Sequence, residues 1–536
     1  MISHYQYNVD DYLRHSAQQW PDKTAIVDHN GERSTTFAQL NDFAERLGSH
    51  LIAQGLEQKP ILLILPKSME ALGCFAGVTK SNNFYTIFDE SAPLERLLKV
   101  IRFFAPKLII TRQDYKLLPE IQAHVQSDGK YAPIPFLSVE DIPTFPIDES
   151  ALAQRRRTHI DTDLLYVLFT SGSTGEPKGV TICHKSVIDY TEWLSSEFGF
   201  SEQTVFLNQA PFYFDNSITD IYSTFKAGST LHLINSMWFA FPAKVLKYMS
   251  EHHVTTIFWV PSVLCFFANT KAVERFAAQL QDLKQIIFCG EPMPNKQLNV
   301  WRKHLPQCTC TNLYGPTEIT DVCAYYHAER EFADDEILPI GFACANTQLL
   351  VFAPDENSAS GKMQYRFITP DQVGAKGLLF VRGTSLSLGY YANQAKTDAV
   401  FIQNPLHHNY LDRLYNTGDI VAYNEYGELV CYGRADSQIK YQGHRIELGE
   451  IEAVVSGHSE VKGCACVFEQ QIYLFYLADH DLDLKAYLKD KLPTYMIPSY
   501  ITRLKQFGST ANGKIDRVSL KNNLHALTHG ASPQTN

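Results

Sequence analysis

No stretch of this sequence is apolar for long enough to cross a membrane. The densest run, ILLIL at residues 61–65, falls far short of the ~20 residues a spanning helix needs, and it reads instead as a buried parallel strand. The N-terminus, MISHYQYNVDDYLRH, lacks the basic-then-apolar order of a secretory signal. Positive charge is also short: the net charge of −11 argues against nucleic-acid binding as the main task, because a phosphate backbone needs a basic surface. The short run Arg155-Arg156-Arg157 reads as a solvated loop. Metal-ligand spacing is missing. The 11 cysteines are odd in number and scattered, and pairs such as Cys308/Cys310 and Cys464/Cys466 have neither zinc spacing nor His partners nearby. All read as reduced thiols of a cytoplasmic protein. There is no internal repeat, no low-complexity segment and no Pro- or Gly-rich linker.

What is present is a long globular chain. At 536 residues it exceeds one ordinary core, so at least two domains are expected. Apolar residues make up 45% and charged residues 20%, a globular balance. Short apolar runs recur at 61–65, 107–111, 164–170, 204–208, 255–260 and 285–290, with amphipathic stretches such as LNDFAERLGSHLIAQGL (40–56) between them. That alternation predicts an α/β fold of parallel sheets covered by helices. Near residue 435 the texture changes. Beyond it come a helix (449–456), two strands (464–468 and 471–477), another helix (482–491) and a Pro-flanked loop, an α+β module of small-domain size. The predicted division is a core of residues 1–435 and a small domain of residues 436–536, joined by a compact hinge.

The strongest local signal is TSGSTGEPKG at 170–179, after the strand LLYVLF and before the helical pattern HKSVIDYTEWLSSEF. Small residues let backbone N–H groups approach phosphate oxygens, while Ser, Thr and Lys add donors and charge. An ordinary Gly/Ser turn is the other reading of this stretch alone. Neither G-x-x-x-x-G-K-[ST] nor G-x-G-x-x-G occurs. Further along stand NLYGPTE (312–318), YNTGDI (415–420), GRADSQIKYQGHRIELGEIE (433–452) and NGKIDR (512–517).

In this order and at this spacing the segments resemble the adenylate-forming superfamily of acyl-CoA synthetases, luciferases and peptide-synthetase adenylation domains, over roughly residues 10–520. FDNS (214–217), LPTYMIP (492–498) and NGKIDR fit its amino-acid-activating branch best. The resemblance implies a large N-terminal domain of helix-covered sheets with a β-subdomain, and a small mobile α+β C-terminal domain. It implies ATP and Mg²⁺. Thr170, Ser171, Gly172, Ser173, Thr174, Gly175 and Lys178 match the loop that holds the β- and γ-phosphates. Tyr314 matches the residue that packs on adenine. Thr317 and Glu318 match the positions meeting the α-phosphate and the metal. Asp419 matches the ribose carboxylate with Arg434 beside it, Asp436 the hinge and Lys514 the catalytic lysine. Residues 443–450 match the segment that lines the site for the second half-reaction, thioester formation.

Asp215 in FDNS separates amino acids from plain acids, because a carboxylate facing the substrate ammonium makes a charge-assisted bond that a fatty acid leaves unmet. The plainer reading is an Asp capping a helix that begins near Ser217. Aligned to the branch, the rest of the pocket falls at Asn216, Thr219, Phe258, Ile287, Cys289, Leu313, Asp321 and Val322, small to medium and of mixed polarity. The segments around Cys289 and Asp215 look like those of D-alanine–D-alanyl carrier protein ligases. Asn216, Thr219 and Asp321 are more polar than an alanine methyl requires and leave room for a polar or larger side chain. Cys289 reads equally as a small buried hydrophobe. One stretch departs from the branch: TKSNNFYTIFDESAP (79–93) keeps the Asp89 and Pro93 anchors but replaces small residues by Ser-Asn-Asn, away from the nucleotide pocket.

No carrier module or Gly-Gly-x-Ser attachment motif follows NGKIDR. The expected acceptor is the phosphopantetheine thiol of a separate carrier protein, with an amino acid as the first substrate and no membrane insertion. The alternatives are a small-acid CoA ligase and a non-catalytic nucleotide-binding homologue.

Overall fold

The structure is a computed structural model that describes residues 5–127, 134–170, 177–334, 336–354, 365–435, 438–508, 515–524 and 527. Two large sheets dominate the described residues. In one, Pro60–Ile64 lies parallel to Phe84–Phe88 and Leu108–Thr111, each buried along its whole length. Strands covered on both faces must be apolar throughout, which is why ILLIL reads as a continuous run. In the other, Thr24–Asp28, Thr230–Leu233, Val205–Asn208, Thr256–Trp259, Gln285–Phe288 and Thr309–Tyr314 run parallel in that spatial order. The largest core cluster joins Leu63, Tyr85 and Leu165 of the first sheet to Phe206, Leu231 and Phe258 of the second. It takes in the helices Phe37–Ala53, Met69–Lys80, His184–Phe198 and Ser217–Ala227.

A third, antiparallel sheet contains Thr347–Pro354, Gly377–Gly383, Arg413–Tyr423 and Leu429–Arg434, the expected β-subdomain. After Arg434 the chain forms a hairpin of Gln438–Tyr441 and His444–Glu447, then the helix Leu448–Ser456. A small sheet follows, built from Gly463–Glu469, Gln471–Leu477 and Tyr500–Leu504. This part has its own core around Ile446, Ile451, Leu474, Leu488 and Met496. Among the described residues no helix is long and apolar enough to cross a membrane, and all eleven cysteines are free.

Three expectations need correction. The loop of TSGSTGEPKG does not join a strand to a helix. It joins Leu164–Thr170 to an antiparallel strand, Lys178–Cys183, and the helix starts only at His184. Val180 and Ile182, inward-facing opposite Leu168 and Tyr166, carry the strand pattern that the sequence reading passed over. Arg155, Arg156 and Arg157 form the last turn of the helix Glu149–Thr158, where cations complement the helix dipole, and Arg155 pairs with Glu57 at 2.7 Å. The hairpin at 438–447 and the strand Tyr500–Leu504 were absent from the sequence reading.

The divergent Ser-Asn-Asn stretch is a fully buried turn between the helix Met69–Lys80 and the strand Phe84–Phe88. Asn82 takes the left-handed conformation (φ 58°) that Asn tolerates better than most residues. The Asn83 side chain accepts from Lys59 N at 2.9 Å and donates to Ser81 Oγ at 2.8 Å. Just before the turn, Lys80 is buried against Asp10 at 2.7 Å. Removing one member of a buried pair strands the other charge. Lys80→Met should therefore destabilise the core by about 3–5 kcal/mol, seen as an earlier unfolding transition in urea.

Candidate active site

The expected pocket residues share one face because strands alternate. Phe258 pairs with Ile287 across adjacent parallel strands; Cys289 lies two residues beyond Ile287, and Leu313 two beyond its neighbour Thr311. Phe258, Ile287, Cys289, Leu313 and Val322 are each no more than 2% exposed and belong to the main core cluster. Burial pushes the Cys289 thiol well above its usual range, with the Asp321 carboxylate adding to the shift, so it stays a neutral, inert hydrophobe.

Polar groups close one end of this face. Asp215 stands before the helix Ser217–Ala227, whose cap position is Asn216 with no side-chain cap bond. Its Oδ1 accepts the Asn216 backbone N–H at 3.0 Å, and Thr317 bonds to it through its side chain. Turned so that its nitrogen faces them, the Asn216 amide donates to Asp215 Oδ1 (3.2 Å) and to Asp321 Oδ1 (3.1 Å), bridging the two carboxyls. Asp321 Oδ2 accepts from Tyr190 Oη at 2.8 Å and Thr219 Oγ1 at 3.1 Å. Burial, then the nearby Asp215 charge, push Asp321 up to about 8. Asp215 is raised too, chiefly by burial.

Next to this cluster lies Glu318, fully buried. Its Oε1 meets Lys178 Nζ at 2.9 Å and accepts from Tyr390 Oη at 2.7 Å, while its Oε2 meets Arg445 Nη1 at 2.6 Å. Burial alone would raise its pKa; Arg445 and Lys178 overcome that and hold the carboxyl well below its usual range. Lys178 also lies over the Tyr390 ring, 4.4 Å from its centroid. The loop carrying Thr317 and Glu318 is tight: a Cβ on Gly315 would sit 2.3 Å from the Asp321 carbonyl oxygen, so only glycine fits.

The Tyr314 hydroxyl donates to Asp419 Oδ2, and Arg434 Nη1 donates to Thr417 O (2.9 Å) and Asp419 Oδ1 (3.3 Å). The hairpin 438–447 covers this group. Lys440 lies over the Tyr314 ring at 5.1 Å, Gly443 N donates to Glu291 Oε1 at 2.9 Å, and His444 stacks on Tyr495 beside Phe214.

The structure thus brings together Thr170, Lys178, Asp215, Asn216, Thr219, Tyr314, Thr317, Glu318, Asp321, Asp419 and Arg434 at the carboxyl ends of the parallel strands, where ligands of open α/β sheets bind. Ser171, Gly172, Ser173, Thr174, Gly175, Asp436 and Lys514 lie outside the described residues. A separate cavity of about 800 Å³, lined by Asp28, Lys67, Asp89, Gln209 and Tyr213 among others, sits along the same edge of both sheets. Sequence reasoning missed Tyr190, Glu291 and Tyr390, which stand in an ordinary helix, a loop and a short strand. It flagged the segment holding Arg445 but not that residue.

Asp321 keeps its proton in the folded chain from about pH 4 to its raised pKa, whereas an unfolded Asp loses it near pH 4. The unfolded state therefore binds fewer protons in that window, and this group's contribution to stability falls as pH rises through it. Asp215 and Asp220, buried nearby, act in the same direction. Melting temperatures from pH 5 to 8 should decline more steeply for the wild type than for Asp321→Asn; parallel curves would contradict the assignment.

The chain resembles known proteins along most of its length. It is 30% identical to a D-alanine–D-alanyl carrier protein ligase of Bacillus cytotoxicus, covering 94% of this chain and 97% of that one. It is 29% identical to part of tyrocidine synthase 3 of Brevibacillus parabrevis, where 95% of this chain spans only 7% of the relative. Among solved structures, the Vibrio cholerae adenylation domain AlmE superposes with a TM-score of 0.79 at 21% identity, covering 98% of this chain and all of that one. The model of the AMP-binding enzyme family matches residues 13–391, and the chain belongs to that family.

Proposed function

We propose that this chain is an AMP-forming amino-acid ligase. It joins the carboxylate of an amino acid to the α-phosphate of ATP, releases pyrophosphate, and passes the aminoacyl group to the phosphopantetheine thiol of a separate carrier protein. The observation that carries the reading is Asp215, a carboxylate at the polar end of a pocket with apolar walls, hydrogen-bonded to Thr317, the neighbour of Glu318 in the charge cluster. Thr317 lies between the two groups, which supports binding of the amino group beside the reacting phosphate. The D-alanyl carrier protein ligase match over nearly both full lengths supports the same reaction class.

The chain's own groups divide the work. Asp215 holds the substrate ammonium, which orients its carboxylate for attack. Tyr314 packs on adenine, while Asp419, fixed by Arg434, takes the ribose hydroxyls. Thr170, Ser171, Gly172, Ser173, Thr174, Gly175 and Lys178 surround the leaving phosphates. Thr317 donates to the α-phosphate. Lys514 neutralises charge on the five-coordinate phosphorus. Glu318 is ionised and would hold Mg²⁺ through its hard oxygen donors once Lys178 and Arg445 turn from it to the nucleotide phosphates. Bound there with the nucleotide phosphates, Mg²⁺ would supply charge neutralisation.

The hairpin over the site supports a second working state. With Gly443 on Glu291 and Arg445 on Glu318, the face presented to the core is the one expected for thioester formation. The working division is residues 1–435 and 436–536, turning about Asp436. The free cysteines suit a cytoplasmic setting.

Amino-acid-dependent pyrophosphate exchange tests the reaction directly. Asp215→Ala should lose about 1.5–3 kcal/mol of transition-state binding, roughly 10- to 100-fold in kcat/KM. Exchange with no amino acid, or none above background, would overturn the proposal. The two half-reactions should also separate by residue. Lys514→Ala should lower adenylation more than transfer from pre-formed aminoacyl-AMP, and Arg445→Ala should do the reverse, both read by single-turnover assays.

A further inference from the structure

We infer that Tyr190 sets the size limit of the amino-acid pocket and that the substrates are the smallest amino acids, glycine and alanine; this rests on the assignment of Asp215 given above. Tyr190 belongs to the helix His184–Phe198, and its ring is almost wholly buried beside Trp193. Its hydroxyl reaches into the polar end of the pocket, 2.7 Å from Thr219 Oγ1 and 2.8 Å from Asp321 Oδ2. The walls are already closed by Phe258, Ile287, Leu313 and Val322. Tyr190 therefore fills the depth a long side chain would need.

The same contacts resolve the apparent mismatch between a polar pocket and a small substrate. Asn216, Thr219 and Asp321 look like groups waiting for a polar side chain. In the structure they bond to one another and to Tyr190: Asp321 has the Asn216 amide on one oxygen and two hydroxyls on the other. None of the polar side-chain atoms of Tyr190, Asn216, Thr219 or Asp321 is buried without a partner. A site that rejects ligands lacking a hydroxyl or amine does so because its own groups are otherwise left unpaired. These groups are paired before any ligand arrives. A polar side chain has to compete with these existing bonds, and a long apolar one meets the Tyr190 ring. A hydrogen or methyl fits both conditions.

The test is pyrophosphate exchange on wild type, Tyr190→Ala, Tyr190→Leu and Tyr190→Phe with glycine, alanine, serine, leucine and phenylalanine, in both enantiomers where they exist. Thermal melting and binding of a fluorescent ATP analogue establish that each variant is folded. Wild type should favour glycine or alanine over leucine by more than ~100-fold in kcat/KM, in line with the ~10- to 200-fold discrimination that a single methylene supports. Tyr190→Ala should raise the leucine-to-alanine ratio at least ~10-fold, with Tyr190→Leu giving the same direction if the alanine variant does not fold. Tyr190→Phe keeps the ring, so it should keep the size preference while raising KM for alanine more than it lowers kcat. A folded Tyr190→Ala or Tyr190→Leu with the wild-type ratio, or a Tyr190→Phe that admits leucine as well as they do, would overturn the inference. A wild type that activates only a large amino acid would overturn it while leaving the ligase reading intact. A wild type that binds ATP and activates no amino acid would remove both.

Discussion

The buried carboxylate of Glu318 is the constraint around which this molecule is arranged. An ionised carboxylate out of water is stable only with charged or hydrogen-bonding partners on both oxygens. Those partners come from far apart in the chain: Lys178 from the strand after the Ser/Gly-rich loop, Tyr390 from a short strand beside it, and Arg445 from the hairpin beyond residue 437. Meeting the needs of one group thus ties the second sheet to the first and the C-terminal part to both. Because Arg445 is one of the three, the position of the hairpin is coupled to the charge state of Glu318.

Asp215 and Asp321 form a second carboxyl centre on the other side of Thr317. Here the hydrogen-bonding partners are neutral: an amide, three hydroxyls and one backbone N–H. Without a cation, burial dominates and both carboxyls shift upward. The contrast with Glu318 is chemically useful. Glu318 is compensated by the chain itself, whereas on the proposed reading Asp215 takes its positive charge from the ligand. An amino acid brings an ammonium; a plain carboxylic acid does not.

Much of this was legible in the sequence. ILLIL, LLYVLF and QIIF announced buried strands, because a strand covered on both faces has to be apolar throughout. The order of motifs pointed to candidate nucleotide and pocket positions, and the described ones lie near one another. What was not legible has physical causes. The strand Lys178–Cys183 was overlooked because its pattern is short and runs straight into a helix. The hairpin 438–447 is rich in charged and polar residues, since its role is to meet Glu318, Glu291 and Tyr314 rather than to fill a core. Tyr190 could not be found from sequence, because a Tyr at a buried helix position looks like ordinary core. The polarity of Asn216, Thr219 and Asp321 pointed to a polar substrate only while their mutual bonds were unknown.

The central claim is that Asp215 reads the substrate ammonium. The most direct measurement is calorimetric titration of two non-hydrolysable acyl-adenylate mimics, an alanyl sulfamoyl adenosine and its propionyl counterpart, which differ only in the amino group. The account predicts that the alanyl compound binds roughly 10- to 100-fold more tightly, the worth of one hydrogen bond to a charged group, and that Asp215→Ala removes the difference. Equal affinity of the two mimics for the wild-type protein would contradict it.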